Sequence, residues 1–308
     1  MKAIVIDSFG GPEALKLSEI AAPQAGPGEV RVKVMAAGVM PIDGKIRQGY
    51  APPGAAIALP FVPGNEFAGI VDQVGEGVTA FAAGDAVLGF GTLGSYAEYR
   101  VASADQIVRK PAAMPWETAG GFSGNGQGAH MALSAIGIRP GDTVLIHGAA
   151  GGLGTFAVQL ALAWGADTVI GTASERNHAY LRELGAIPVA YGEGLEERVR
   201  AVAPKGVDAA FAAVDSEEAL RVSAALVADK SRIRSMLSRP LIKELGIPPL
   251  EGARSAARLS ELVKLYEEGK VDVRIRRVYA LREAELSHRE IDGGHGSGKI
   301  VLRIGETG

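Results

Sequence analysis

Residues 143–154, TVLIHGAAGGLG, decide the fold that we predict for this chain. The first four are β-branched or apolar, as in a buried strand, and the small residues behind them predict a tight turn. An apolar helix is predicted to follow over 155–161. Strand, turn and helix in this order, with the spacing Ala149-x-Gly151-x-x-Gly154, match the dinucleotide-binding fingerprint, except that Ala replaces its first Gly. An ordinary turn between strand and helix, without a ligand, is the alternative.

Each small residue of that fingerprint has a physical role. One permits the tight turn, one lets the backbone approach a pyrophosphate, and one lets helix and strand pack closely. The amino end of the helix offers N–H groups and positive partial charge to phosphates. We therefore predict a nucleotide site here, with Gly151, Gly152 and Leu153 among the residues that bind the cofactor.

Composition narrows the class of protein. The chain has 308 residues, enough for two domains with full cores, and 47% hydrophobic and 22% charged residues are typical of a globular protein. A net charge of −3 without a basic stripe predicts no nucleic-acid partner. The absence of cysteine excludes disulfides, thiolate nucleophiles and cysteine-based zinc sites. Because no signal peptide and no apolar run of about 18 residues is visible, we predict a cytoplasmic protein that does not enter a membrane.

The first 110 residues are predicted to be β-rich. VRVKV at 30–34 alternates apolar and charged residues, as in a strand with one buried face. Glycine and proline turns separate short strands, a pattern typical of a barrel or sandwich. The predicted strands are Lys2–Ile6, Leu15–Ile20, Glu29–Ala37, Phe67–Val74, Ala86–Phe90, Ser95–Val101 and Gln106–Arg109.

The pattern changes near residue 115. Residues 116–137 are predicted to be mostly helical, and strands then alternate with helices, which predicts a parallel sheet. The predicted strands are Asp167–Thr172, Ile187–Ala190, Val207–Val214 and Arg232–Leu237, and the helices are Glu175–Leu184, Leu195–Val202, Glu217–Val227 and Ala253–Glu268. A sixth strand at 246–250 is disfavoured by two prolines. The closing strands, 273–279 and 299–304, are expected to return to the first domain.

Several motifs together resemble one family. They are AGVMPID at 37–43, PGNEFAG at 63–69, HGAAGGLG at 147–154, GTAS at 171–174 and GKIVL at 298–302. The chain resembles, over nearly its whole length, the zinc-independent medium-chain dehydrogenases/reductases, in particular the quinone oxidoreductase (zeta-crystallin-like) branch. The resemblance implies an α/β fold with a Rossmann-type doubly wound parallel sheet, a β-rich GroES-like domain, and the active cleft between them. The implied domains are GroES-like at 1–118, Rossmann NADP(H)-binding at 119–252, and a C-terminal return to the GroES-like domain at 253–308.

The departures from zinc-dependent relatives bear on the chemistry. Those relatives carry Cys where Met40 stands and His where Asn65 stands, and they have a four-cysteine loop that this chain lacks. Glu66 is then the one plausible ligand, and one ligand does not make a zinc site. We predict no metal, so zinc polarisation of an alkoxide is not available. Quinone reductases usually have Asn at the Met40 position, on the nicotinamide side, so its loss leaves the substrate open.

The cofactor is predicted from the end of the second parallel strand. An acidic residue there usually binds the ribose of NAD, while Arg accepts the extra phosphate of NADP. The strand tip carries no carboxylate, and Ser174 and Arg176 can both donate to a phosphate, which predicts NADPH. The alternative is that Glu175 holds a ribose of NADH and Arg176 is a solvated residue.

Further cofactor contacts are predicted at the carboxyl ends of the parallel strands, where ligands of such sheets bind. Tyr191 is implied by the resemblance to lie near the adenine, or else is an edge aromatic that covers the core. Asp215 either contacts the cofactor or caps the helix that starts at Ser216. The complete predicted set is Gly151, Gly152, Leu153, Ser174, Arg176, Tyr191, Asp215, Ser235, Met236 and Leu237.

Hydride transfer needs alignment of the reacting carbons and exclusion of water more than it needs an acid or a base. The catalytic residue therefore stays unknown, and Met40, Asp43, Tyr50 and His130 are candidates to line the cleft. Tyr50 is either a pocket rim or an exposed loop aromatic. His130 either donates a proton near neutral pH or is structural. His147 is predicted to be a packed core residue.

The favoured interpretation is an NADPH-dependent enzyme that reduces a quinone or a similar electron-poor carbonyl or alkene. An enoyl or enone reductase is the alternative, and it would need Tyr50 or His130 as proton donor. A third hypothesis is an NADPH-binding protein with little catalysis and a structural or nucleic-acid-binding role, against which the acidic balance counts. A homodimer is predicted from the resemblance and from the exposed edge of the parallel sheet.

Overall fold

The computed structural model describes residues 1–52, 54, 56–236, 240–294 and 296–305. They form two compact units, which we name the β-rich unit and the parallel-sheet unit. The β-rich unit comprises Met1–Gly124, Ser255–Val263 and Val273–Gly308, and the parallel-sheet unit comprises Asn125–Arg254 and Lys264–Asp272. The domain boundaries after residues 118 and 252 stay predictions.

The elements are numbered in chain order. The strands are β1 (Lys2–Val5), β2 (Lys16–Glu19), β3 (Glu29–Val39), β4 (Glu66–Val74), β5 (Ala86–Phe90), β6 (Tyr99–Ser103), β7 (Ile107–Arg109), β8 (Thr143–His147), β9 (Thr168–Ala173), β10 (Ile187–Ala190), β11 (Ala209–Ala212), β12 (Ile233–Ser235), β13 (Ile275–Ala280) and β14 (Lys299–Arg303). The α-helices are α1 (Pro41–Arg47), α2 (Trp116–Gly120), α3 (Ser123–Ile136), α4 (Gly152–Ala163), α5 (His178–Glu183), α6 (Leu195–Val202), α7 (Glu217–Leu226), α8 (Pro240–Glu244), α9 (Ala256–Glu267) and α10 (Ala284–Asp292).

The sheet of the β-rich unit is built around β3. This strand pairs antiparallel with β4, β6 and β14, and the sheet order is β13-β14-β3-β4-β5-β7. Val30, Val32 and Val34 are fully buried while Lys33 is exposed, so the predicted alternation is confirmed. The last two strands of the chain, β13 and β14, run parallel to each other and extend this sheet.

The parallel-sheet unit has five parallel strands in the order β10-β9-β8-β11-β12. The chain builds outward from β8 through β9 and β10, and it then crosses to β11 and β12 on the other side. The strand order therefore reverses between β8 and β11, and ligands of open parallel sheets bind outside the carboxyl ends of the strands at such a point. The predicted α/β class, with a doubly wound parallel sheet and a second, β-rich part, is confirmed.

Some predicted elements differ from the structure. The strand predicted over Ser95–Val101 is wrong in its first half, since β6 begins at Tyr99. The backbone of Tyr96 is used elsewhere: its N–H donates to the Pro63 carbonyl and its carbonyl accepts from the Ile4 N–H. The predicted helix Glu175–Leu184 opens with a 3-10 turn over Glu175–Asn177 before α5 begins. No strand occurs at 246–250, as the two prolines predict.

The helices α1 and α10 are absent from the sequence-based prediction. α1 begins with Pro41, and the Asp43 carboxylate accepts the backbone N–H of Met40, which satisfies a donor at the helix start. α10 buries Ala284, Ser287 and His288 on one face. None of the helices in the described part of the chain combines the length and apolarity that a membrane crossing needs.

Candidate functional site

The turn after β8 leads directly into an uncapped helix. α4 begins at Gly152, earlier than the predicted start at Thr155, and its N-cap is Gly151, which has no side chain to cap the first N–H groups. The first N–H groups of a helix have no partner inside the helix, and the dipole places positive partial charge beside them. The amino end of α4 is therefore suited to bind an anion.

The backbone of this turn lies so close to the backbone of α4 that larger side chains do not fit between them. A Cβ added at Gly154 would collide with the Gly148 carbonyl oxygen and lie 2.6 Å from the Cα of Ala149. Gly148 itself has φ +69°, a left-handed conformation that favours glycine. Gly154 therefore fills the role of the fingerprint's third glycine, which lets the helix pack closely on the strand.

Ala149, which replaces the first glycine of the fingerprint, is accommodated by a neighbouring strand. It is fully buried, and a Cβ added at Gly171 of β9 would lie 2.8 Å from its methyl carbon. The missing side chain at Gly171 thus leaves room for the methyl group of Ala149. In this chain, the glycine of the motif GTAS therefore makes room for the residue that alters the fingerprint.

The predicted cofactor residues lie at the carboxyl ends of the parallel strands. Ser174 follows β9, and its hydroxyl accepts a hydrogen bond of 3.1 Å from the Asn177 amide. Arg176 is exposed in the 3-10 turn that comes next. Tyr191 follows β10 with 58% of its surface exposed, so it does not cover the core.

Residues after β11 and β12 complete this edge. Asp215 is exposed, and it does not cap α7: the Ser216 hydroxyl accepts the N–H of Ala219 at 3.2 Å and is the N-cap. Capping is therefore excluded as the role of Asp215. Ser235 is buried at the end of β12, and Met236 is 37% exposed. Leu237 lies outside the described residues.

His130 has structural contacts in α3. It is buried, its ring meets the Trp164 ring edge-on with centroids 5.0 Å apart, and its Nδ1 lies 3.1 Å from the Ser134 hydroxyl. These contacts hold the ring in place. A role for His130 in proton donation stays a prediction.

In the β-rich unit, a buried carboxylate organises the motifs at 37–43 and 63–69. Asp43 is 1% exposed and accepts hydrogen bonds from the Met40 N–H (2.8 Å), the Asn65 amide (2.6 Å) and the Tyr96 hydroxyl (3.2 Å). Burial raises the pKa of Asp43 to about 6, although these donors favour its charged form. Two predicted site residues, Met40 and Asp43, are thus joined, whereas Tyr50 is 47% exposed after α1.

A chain of buried polar groups continues from Asp43 to α10. The Arg47 guanidinium contacts His288 Nδ1 at 2.9 Å, and His288 Nε2 lies 3.2 Å from the Tyr96 hydroxyl. Because arginine can only donate, Nδ1 must accept and Nε2 must carry the proton. The Tyr96 hydroxyl then accepts from His288 and donates to Asp43. Arg47 also pairs with Asp292 at 2.6 Å.

Glu66 is held by a buried ion pair. Its Oε1 forms an ion pair with the Lys299 ammonium, and its Oε2 accepts the Gly124 N–H at 2.6 Å. Both side chains are almost completely buried. Sequence reasoning missed Lys299, Arg47, Tyr96 and His288, although Lys299 stands in the quoted motif GKIVL. Among the described residues, no group of three or more His, Asp or Glu side chains is arranged to hold a metal ion.

Known protein families match segments of both units. Residues 26–112 match the family model of the alcohol dehydrogenase GroES-like domain, and residues 152–236 match the model described as zinc-binding dehydrogenase. A quinone oxidoreductase of Pseudomonas aeruginosa is 32% identical over an alignment of 331 positions, which covers 98% of this chain and 99% of that protein. The synaptic vesicle membrane protein VAT-1 homolog of Rattus norvegicus is 38% identical over 216 residues, 68% of this chain but only 52% of that protein.

Solved structures share the fold over almost the full chain. The quinone oxidoreductase from Coxiella burnetii has a TM-score of 0.88 and 32% identity, with 99% of both chains covered. A mycobacterial protein solved in complex with NADPH has a TM-score of 0.87 and 29% identity, with 98% of this chain and 100% of that chain covered. This chain therefore belongs to the quinone oxidoreductase branch of the medium-chain dehydrogenase/reductase superfamily and is an oxidoreductase.

Proposed function

We propose that this protein uses NADPH to reduce a quinone, or a similar electron-poor carbonyl or alkene, without zinc. The observation that carries the proposal is the uncapped amino end of α4, pressed against the Gly148 turn through Gly154. Its N–H groups fit a pyrophosphate, and we assign Gly151, Gly152 and Leu153 to that contact. The NADPH bound by a mycobacterial relative supports the choice of ligand.

We assign the remaining parts of the cofactor to the strand ends. Ser174 and Arg176 would contact the phosphate that distinguishes NADPH, and Tyr191 would lie near the adenine. Asp215, Ser235, Met236 and Leu237 would lie toward the nicotinamide, and of these Leu237 lies outside the described residues. The bound cofactor supplies the hydride, and these residues bind it, orient it and exclude water.

The donor set of the β-rich unit supports chemistry without zinc. Asn65 uses its amide N–H toward Asp43, and the Glu66 carboxylate is already neutralised by Lys299. Met40 offers only a thioether, a weak ligand for Zn²⁺. We propose that Met40 and Asp43 contribute to the substrate site, as do Tyr50 and His130. Stoichiometric zinc in the purified protein, measured by elemental analysis, would contradict the zinc-free part of the proposal.

Cofactor preference tests the proposed phosphate contact. We expect kcat/KM with a quinone acceptor to be higher for NADPH than for NADH. Arg176→Ala should reduce this preference about 10-fold, because a charge-assisted hydrogen bond contributes about 1.5 kcal/mol or more. Arg182→Ala removes another exposed arginine, in α5, and should leave the preference unchanged. A wild-type preference for NADH would overturn the choice of cofactor.

An acceptor panel tests the substrate class. NADPH consumption is measured with 1,4-benzoquinone and with an enoyl thioester at equal concentrations, and we expect the quinone to react faster. Faster reduction of the thioester would favour the enoyl reductase instead. Tight NADPH binding without turnover across the panel would favour a binding protein.

We also propose a homodimer in the cytoplasm. Among the described strands, β12 is an edge of the parallel sheet, and open edges of this kind favour pairing. The absence of cysteine agrees with a reducing compartment. Light scattering that gives the mass of one chain would contradict the dimer.

A further inference from the structure

We propose that His147 is a positioning residue for the cofactor turn, acting on the Gly148 peptide through Thr172. The inference rests on the proposed binding of NADPH at the amino end of α4. His147 is the last residue of β8 and is 1% exposed, so it is not placed to touch a ligand. Its effect on the cofactor is instead transmitted through hydrogen bonds.

The side chain of His147 joins hydroxyl groups of two other elements. Its Nε2 lies 3.1 Å from the Ser223 hydroxyl of α7, and its Nδ1 lies 3.4 Å from the Thr172 hydroxyl of β9. The Ser223 hydroxyl donates its own proton to the Ala219 carbonyl at 2.7 Å. It can therefore only accept from His147, which places the ring proton on Nε2 and leaves Nδ1 as an acceptor.

This tautomer determines the remaining bonds. Since Nδ1 must accept, the Thr172 hydroxyl donates to it, and the oxygen of that hydroxyl is left to accept the Gly148 N–H at 3.3 Å. Every hydrogen bond in this series then has its donor on the side of the turn and its acceptor on the side of α7, and no two donors face each other. Burial lowers the pKa of His147 to about 4, which keeps the ring neutral near pH 7 as the chain requires.

The Gly148 peptide is the point on which the turn depends. Thr172 holds both peptide groups that flank the Gly148 Cα, because its hydroxyl accepts the Gly148 N–H and its carbonyl accepts the Ala149 N–H at 3.0 Å. The Gly148 carbonyl accepts the Gly151 N–H at 3.1 Å and faces the close contact with Gly154. A rotation of these peptide groups about Gly148 would therefore move the start of α4, where the pyrophosphate is proposed to bind.

The test removes one hydroxyl group and then restores it. Thr172→Val keeps the shape of the side chain but loses the hydroxyl, while Thr172→Ser keeps the hydroxyl. The dissociation constant of NADPH is measured by cofactor fluorescence, without turnover. We expect Thr172→Val to weaken binding about 5- to 10-fold, which is the effect of one lost hydrogen bond, and Thr172→Ser to bind like the wild type. At saturating NADPH, kcat with benzoquinone should change less than about 2-fold.

Thr168→Val is the matched control. Thr168 stands at the other end of the same strand, where its hydroxyl bonds to Asp167, so its loss should leave NADPH binding unchanged. Wild-type-like binding by a folded Thr172→Val variant would overturn the inference, as would equal weakening by Thr168→Val. A wild-type protein that does not bind NADPH at all would overturn the proposed function instead.

A measurement on the cofactor-free protein keeps the positioning role testable by itself. Amide hydrogen exchange over residues 148–155 should be about 10-fold faster in Thr172→Val than in the wild type, and Thr172→Ser should match the wild type. Ser223→Ala should show the same change to a smaller extent, because it removes the far end of the chain. Unchanged exchange in both Thr172→Val and Ser223→Ala would show that the hydrogen bonds do not hold the turn.

Discussion

In each unit a buried histidine, His147 or His288, lies in a chain of side-chain hydrogen bonds, but the surroundings of the two differ. His147 in the parallel-sheet unit has two hydroxyl groups as partners. His288 in the β-rich unit lies between Arg47 and Tyr96, and the chain continues to the Asp43 carboxylate. Burial lowers the pKa of both histidines to about 4. The series of hydrogen bonds around His147 is thus neutral throughout, whereas the series around His288 ends on the buried charges of Arg47 and Asp43.

This difference determines which substitutions destabilise each unit most. A neutral hydrogen bond contributes about 1 kcal/mol, and its loss leaves a modest penalty. A buried charge whose partner is removed is far more costly, because it was stabilised by that partner rather than by water. The parallel-sheet unit should therefore be sensitive to changes in backbone shape, and the β-rich unit to changes in charge.

The largest effect is expected at the buried ion pair of the β-rich unit. Lys299→Met leaves the Glu66 carboxylate buried without its counter-charge, and it should lower the free energy of unfolding by about 3–5 kcal/mol. Urea unfolding measures the change. Adding Glu66→Gln should recover a large part of the loss, since it removes the unpaired charge.

Arg303→Met provides the control on the same strand. Arg303 pairs with Glu117, but 53% of its side chain is exposed, so its loss should change stability by less than about 1 kcal/mol. Equal effects of Lys299→Met and Arg303→Met would mean that burial of the charge is not what matters in β14.

The second prediction concerns backbone shape in the parallel-sheet unit. Gly154→Ala should lower the free energy of unfolding by about 2–3 kcal/mol, because its Cβ would collide with the backbone of the Gly148 turn. Gly151→Ala is the matched variant in the same turn: its Cβ would lie 3.3 Å from the Gly148 carbonyl oxygen, a contact that a small shift relieves. Thermal and urea unfolding should therefore separate the two, and equal stability would argue against close helix–strand packing as the role of Gly154.

The two units also differ in how far they could be predicted from the sequence. The turn of the parallel-sheet unit is encoded in twelve consecutive residues, 143–154, so its strand, turn and helix follow from local pattern. The chain around His288 joins Arg47 to a residue 241 positions later, and no local pattern relates the two. Asp43 could be singled out from its motif, but its partner Tyr96 could not.

Competition between alternative partners explains the remaining differences between the sequence-based prediction and the structure. Ser216 rather than Asp215 caps α7, since either residue type satisfies the same rule and only the backbone geometry selects one. The segment 95–98 has the composition of a strand, yet its backbone pairs with Pro63 and Ile4 in place of extending β6. Propensity identifies a residue that can extend, whereas tertiary contacts decide with which partner.

Acid should affect the two units differently. His147 and His288 have folded pKa values of about 4, below the value of about 6.5 in an unfolded chain, so their contribution to stability is complete above pH 6.5 and is lost as the pH falls toward 4. Asp43 acts in the opposite direction. Its folded pKa of about 6 lies above its unfolded value, so the folded state gains stability as the pH falls through 6.

The parallel-sheet unit should therefore lose about 2 kcal/mol between pH 6.5 and pH 4.5, and the β-rich unit less than about 1 kcal/mol. The chain has two tryptophans, Trp116 in the β-rich unit and Trp164 in the parallel-sheet unit, so single-tryptophan variants can follow urea unfolding of each. Asp43→Asn removes the opposing titration and should make the β-rich unit as sensitive as its neighbour. The same pH dependence with and without Asp43 would refute this compensation.

The smallest expected effect gives the most direct comparison of the hydrogen bonds around the two histidines. Tyr96→Phe removes the hydroxyl that links His288 to Asp43, and it should lower the free energy of unfolding by about 1–2 kcal/mol while raising the pKa of Asp43 further. Tyr279→Phe, which removes a half-buried hydroxyl bonded to Glu290, is the control and should have less than half that effect. Thr172→Val removes the corresponding hydroxyl beside the other histidine, so the difference between Tyr96→Phe and Thr172→Val measures what a buried charge adds to one hydrogen bond. If the two variants lose the same stability, the charged surroundings add nothing, and the two chains differ only in which partners they join.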